Sequence, residues 1–169
     1  MGFEFSNVNF KLNSGIGYEL KMLGQGRKNL VDLISQYNDK QVNLVPSGFK
    51  NNLIWNFGHI IVSHQTLCYK YSGLEPVVPA AIIDQFKRGT GPMDSLNQDQ
   101  INQLKMLAVE TATRFKEDYQ KGIFKEYQSY QSLYGLELNS IEDAMMFNNT
   151  HEGIHLGYMM AMRKVLTNQ

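Results

Sequence analysis

The stretch from Leu53 to Tyr71 constrains the fold most, because it is apolar almost all the way round a helix. Leu53, Phe57, Ile60, Ile61, Leu67 and Cys68 form one stripe, while Trp55 and Val62 lie on the other side. Such a helix is buried on more than one face, so other elements have to surround it. Asn52 is placed to cap its start, and Gly73 lies just past its end.

Three further helical patterns supply those neighbours. From Tyr18, the residues Leu20, Leu23, Arg27, Leu30, Val31, Ile34 and Tyr37 share a stripe, predicting a helix near 20–37 that stops at Asn38-Asp39. A second runs near 98–120, with Ile101, Leu104, Ala108, Phe115 and Tyr119 inward. The third spans 141–166, where Ser140-Ile-Glu-Asp143 resembles a capping box with Asp in place of Glu or Gln. No convincing strand run interrupts these patterns, so the sequence predicts an all-α four-helix bundle.

Residues 1–17 are poorly specified, and 18–169 read as a single domain. The connection from Leu74 to Leu96 holds Pro76, Pro79, Pro92 and Gly89-Thr-Gly91, with room for a short helix around 80–86. Connections that long often wall or cover a site, so this one is expected to border a pocket.

Charge excludes some functions. Sixteen basic and sixteen acidic residues cancel, leaving no footprint for nucleic acid or anionic membrane. No apolar run approaches the roughly 18 residues needed to cross a bilayer. The N-terminus lacks a secretory pattern, and the lone Cys68, read as a small buried hydrophobe, fits a reducing compartment. A soluble cytoplasmic protein is the expectation.

His151-Glu-Gly-Ile-His155 carries the chemistry. Histidines four apart stand one turn above one another on the same helical face, the spacing that presents two nitrogens to one divalent metal. A helical histidine is more often a surface or hydrogen-bonded residue, and such pairs arise by chance. Both, however, fall on the inward stripe with Met145 and Tyr158. With Glu152 the string also reads H-E-x-x-H, which suggests a zincin-like peptidase. Zincins usually take their third ligand downstream, and Leu156–Gln169 contains no His, Asp, Glu or Cys. The peptidase therefore stays a minor alternative, and the third ligand is sought upstream. His59 and His64 lie on different sides of the second helix, both of which look buried, and periodicity leaves the two open.

Leu53-Ile-Trp55 followed by Asn56-Phe-Gly-His59 resembles the helix-two signature of the DinB-like superfamily, and His151-Glu-Gly-Ile-His155-Leu-Gly157 resembles its terminal H-x-x-x-H-x-G signature. The loop Phe86-Lys-Arg-Gly-Thr-Gly-Pro92 is similar to one found in part of that family. The resemblance implies a bundle of up-down-down-up type, often a homodimer, holding one divalent metal on His59, His151 and His155. His64 then has no assigned role. Zinc is the first expectation for the metal and nickel the second, since imidazole suits both.

Three neutral histidines with an open position are the pattern of a catalytic metal. Characterised members of the family include enzymes that use low-molecular-weight thiols such as bacillithiol or mycothiol. The resemblance thus implies a metal-dependent enzyme acting on a small thiol (thiol S-transferase-like) or on water. The alternative is a non-catalytic metal-binding stress protein or dimeric scaffold. Glu152 points about 100° away from His151 on a helix, so it is expected to brace a ligand or make a salt bridge. Tyr158, one turn beyond His155, is a catalytic candidate alongside Glu152. Asn56 and Asn148 are pocket candidates.

Overall fold

The computed structural model describes residues 16–166. Its long helices are α1 (Gly17–Ile34), α3 (Leu53–Cys68), α5 (Gln98–Gln120) and α6 (Ile141–Leu166). Two short helices, α2 (Asp39–Asn43) and α4 (Ala80–Phe86), a 3-10 turn at Lys70–Ser72, and a two-stranded hairpin of β1 (Tyr130–Gln131) and β2 (Glu137–Leu138) complete the elements among the described residues. Among the described residues the protein is all-α apart from that hairpin. All of the segment 1–17 except Ile16 and Gly17 lies outside the described residues. Among those described, no helix is long and apolar enough to cross a membrane.

Local chemistry explains the boundaries. Asn52 caps α3 by accepting from Trp55 N–H, and after a 3-10 turn Gly73 takes a left-handed φ of 71°, which glycine adopts without steric penalty. Asn97 and Gln100 form a reciprocal capping box at α5. At α6 the Ser140 hydroxyl accepts from Asp143 N–H, but the Asp143 carboxylate reaches back to Asn139 N–H. The expected reciprocal bond to Ser140 therefore does not form.

Two expectations are corrected. The first helix lies three residues earlier than 20–37, at Gly17–Ile34. Asn38 is the reason: it starts α2, in a capping box with Gln41, as well as following the end of α1. The hairpin was not expected because its strands are two residues long, too short to show alternation.

The core falls into two clusters. One joins Leu30 and Ile34 of α1, the first two-thirds of α3, Ile101 to Ala108 of α5, and Met159 to Leu166 of α6. The other joins Leu23, Leu67, Cys68, Phe115, Ala144 and Met145. Helices α1 and α6 therefore run one way, and α3 and α5 the other. Between the clusters lies a layer of buried polar residues, including Arg27, His59, His64, Asn148 and Glu152.

The 74–96 connection is held against α3 by close packing. A Cβ on Gly58 would meet the Phe86 ring at 2.5 to 2.7 Å, so only glycine lets α4 approach this far. We expect Gly58→Ala to displace Phe86 and destabilise the protein by about 1–3 kcal/mol in urea unfolding. Gly24→Ala is the control, because nothing lies within 4 Å of its would-be Cβ. It should be neutral or stabilising by up to about 1 kcal/mol.

Candidate metal centre

Helix α3 supplies His59, and α6 supplies His151 and His155 at one-turn spacing. One nitrogen from each lies within 4.8 Å of the other two. The ring centroids are 4.6 Å apart for His151 and His155, 5.0 Å for His59 and His155, and 5.4 Å for His59 and His151. His64, the other upstream candidate, is fully buried away from this group, edge-on to Phe115 at 5.0 Å.

Backbone and amide contacts decide which nitrogens are available. His59 Nδ1 is 2.7 Å from the Phe86 carbonyl oxygen, which can only accept, so His59 carries its proton there. His155 Nδ1 is 2.9 Å from Asn56 Oδ1. The Asn56 amide nitrogen donates to Asn52 O at 2.8 Å, which orients Oδ1 as the acceptor and fixes the His155 proton on Nδ1. Both rings are left with the Nε2 lone pair for a ligand, the arrangement that metal-binding histidines use. The Ser63 hydroxyl, 3.2 Å from His59 Nε2, donates to that lone pair here. His151 Nδ1 is buried with no hydrogen-bond partner.

Electrostatics favour the neutral rings. Burial lowers the pKa of His59 against the opposing effect of its Phe86 bond. Burial, then repulsion from His155, His59 and Arg27, pushes His151 down to about 3. Burial and His59 push His155 down to about 4. Three neutral imidazoles, two with their tautomers set, fit a divalent cation.

The histidines open onto a cavity of about 570 Å³. Along α3 it is lined by Val62, Ser63, Thr66 and Leu67, and its opposite walls come from Pro76 and Ile83 of the long connection, from the hairpin, and from Phe147. The 74–96 segment thus borders the site, as its length suggests. The Phe86 carbonyl and the hairpin wall carried no signal in the sequence that periodicity could find.

Glu152 does not face the cavity. Its carboxylate receives Arg27 Nε at 2.9 Å and Arg27 Nη2 at 2.7 Å, with Asn148 Nδ2 also at 2.7 Å. This corrects Glu152 as a catalytic candidate, because an Arg-bound carboxylate turned into the core cannot serve as a base at the histidines. Asn148 is likewise behind the site rather than in the pocket, and Asn56 acts through His155. Tyr158 lies edge-on to Phe49 at 5.2 Å and does not line the cavity. Three residues past His155, it is rotated about 60° around the helix, enough to carry it off that face. Arg27 was visible only as a charged residue in the apolar stripe of the first helix.

Two outcomes follow from these buried charges. Arg27→Met leaves Glu152 buried without its partner and should cost about 3–5 kcal/mol in urea unfolding. Adding Glu152→Leu should recover most of that loss. Separately, the metal-free protein should lose stability as pH falls from about 6.5 toward 4. The unfolded histidines take up protons across that window, whereas the folded His151 and His155 do not until about 3 and about 4. A urea midpoint that holds or rises between pH 7 and 5 would contradict this.

No curated protein sequence matches the chain. The family model described as the DinB superfamily matches residues 22–159, a span that contains all three clustered histidines and most of every long helix. The chain therefore belongs to the DinB superfamily, and His59, His151 and His155 form a group in it that could hold a metal ion.

Proposed function

We propose that this protein is a divalent-metal-dependent enzyme that acts on a small thiol, with zinc as the first choice of metal and nickel as the second. The observation that carries the reading is the convergence of three neutral histidines at the wall of a substrate-sized cavity. A structural metal site is closed by four protein ligands, and nothing about it calls for a cavity. A divalent cation at the three nitrogens would supply a Lewis acid that lowers the pKa of a thiol or water reaching it.

The chain's own groups favour thiol over water. Attack by water is helped by a general base, and no Asp or Glu is found among the cavity's lining residues. A thiol ionises close to neutrality and needs less assistance. His59 and His155 are held by Phe86 O and Asn56 Oδ1, so each presents its Nε2 lone pair without turning the ring, and at His59 the Ser63 hydroxyl has only to rotate away. Trp55 stacks on His59 at 4.8 Å and restricts the ring further. The Ser63 hydroxyl stands beside His59 Nε2, where it can donate to a group that arrives there. Val62, Leu67 and Phe147 provide apolar walls that limit water around the reacting end.

The lack of an acid–base carboxylate also supports a second reading, in which the protein binds metal without turnover, as a stress protein or dimeric scaffold. A screen of the metal-loaded protein with several low-molecular-weight thiols and electrophiles separates the two. Thiol consumption that requires metal supports the enzyme, and its absence across the panel favours the binding protein.

The site itself is tested by elemental analysis. Ala at His59, His151 or His155 should remove most of the bound metal, whereas His64→Ala should keep it while lowering stability. Asn56→Ala should weaken metal affinity by about 10–100-fold, the usual effect of losing a partner that orients a ligand. A wild-type protein that takes up no zinc or nickel under any loading condition would end the functional reading.

A further inference from the structure

The chain is neutral overall, but its cavity is not. Lys70, Lys87 and Arg88 line it, and no Asp or Glu does. Lys87 shares its charge with Asp84 at 2.9 Å. Lys70 and Arg88 make no salt bridge among the described residues. Glu152, which follows a lining histidine, is already neutralised by Arg27 on the far side of α6. The cavity is therefore electropositive before any metal is bound, and its partly apolar walls strengthen the field inside it.

The cations stand apart. Arg88 lies two residues after Phe86, whose carbonyl touches His59, so it belongs to the histidine end. Lys70 follows His59 by eleven residues along α3 and its terminal 3-10 turn, which places it about 16 Å away at 1.5 Å per residue. Aromatic surface lies beside that path. Tyr71 and Tyr130 rings pack at 4.6 Å, and Tyr134 and Phe147 at 5.5 Å. Tyr134 is still 54 % exposed, so this surface is not fully covered by the protein.

We propose that the cavity takes a small amphipathic organic acid, whose apolar body lies along the aromatic wall and whose carboxylate is held at Lys70. That orientation points the other end of the molecule toward the histidines. Arg88 adds to the attraction from the opposite end. As a substrate class the inference rests on the proposed function, but as a binding site it stands on the lining alone.

Calorimetry with phenylbutyrate and its neutral analogue phenylbutyramide tests the proposal, using both chelator-treated and zinc-loaded protein. The acid should bind at least about tenfold more tightly than the amide in both preparations, because a charge-assisted contact is lost with the amide. Raising the salt concentration should narrow the difference. Lys70→Met with Arg88→Met should bring the two ligands to near parity without weakening the amide. Lys116→Met, an exposed charge that does not line the cavity, should change nothing. Both altered lysines and the arginine are exposed, and circular dichroism checks that each variant is folded.

Equal binding of acid and amide overturns the proposal, as does a preference that survives the double substitution. A preference seen only with zinc also overturns it, since the metal and not the lining would then be reading the carboxylate. If the protein binds no metal but still prefers the acid, the site stands and the metal-dependent function falls.

Discussion

The buried ion pair of Arg27 and Glu152 is the contact around which the site is organised. Burying two charges costs several kcal/mol each, and only good geometry with further hydrogen bonds offsets that cost. Here the guanidinium makes two bonds to the carboxylate, and Asn148 supplies a third. Arg27 Nη2 also lies 3.4 Å from the Ile60 carbonyl of α3. One side chain of α1 thereby reaches both helices that carry histidines. The pair also sets the rotation of α6. With Glu152 tied inward to α1, its neighbour His151 is turned about 100° around the helix, toward α3. His155 follows one turn later on the same face.

A second chain of contacts positions His59. Gly58 admits the Phe86 ring, Phe86 brings its backbone with it, and the Phe86 carbonyl accepts a hydrogen bond from His59 Nδ1–H. The long connection is therefore part of the site as well as its wall. Asn56 plays the corresponding part for His155, and Asn52, the cap of α3, fixes Asn56 in turn. Helix capping, close packing and histidine tautomer are thus linked by a few named contacts, and all three histidines stand on long helices.

The long helices were legible because each has a strong period and clear end signals. Asn52 with Gly73, and Asn97 with Gln100, act as the sequence suggests. Asn38 was half legible, since a cap that opens one helix looks the same as a polar break that closes another. The choice between His59 and His64 was hidden from periodicity because α3 is buried on nearly every side. His64 occupies a core position against Tyr69 and Phe115, and only three-dimensional packing distinguishes it. Glu152 shows the limit of a motif most plainly. The H-E-x-x-H string is satisfied in letters, but the carboxylate faces α1, because its partner lies 125 residues away in the chain. Tyr158 failed for a smaller reason, a rotation of about 60° that turns it toward Phe49.

Cys68 acquires a meaning beyond packing in this setting. It is the chain's one cysteine, fully buried, and burial followed by the nearby Glu152 carboxylate raises its pKa far above the ordinary thiol range. A sulfur kept protonated and out of reach does not attack a disulfide, and oxidants and alkylating agents find no thiolate there. A site proposed to heighten the reactivity of incoming thiols is thus housed in a chain that is itself inert to thiol exchange. At that cysteine the chain would neither be trapped as a mixed disulfide by an incoming thiol nor be alkylated by an electrophile.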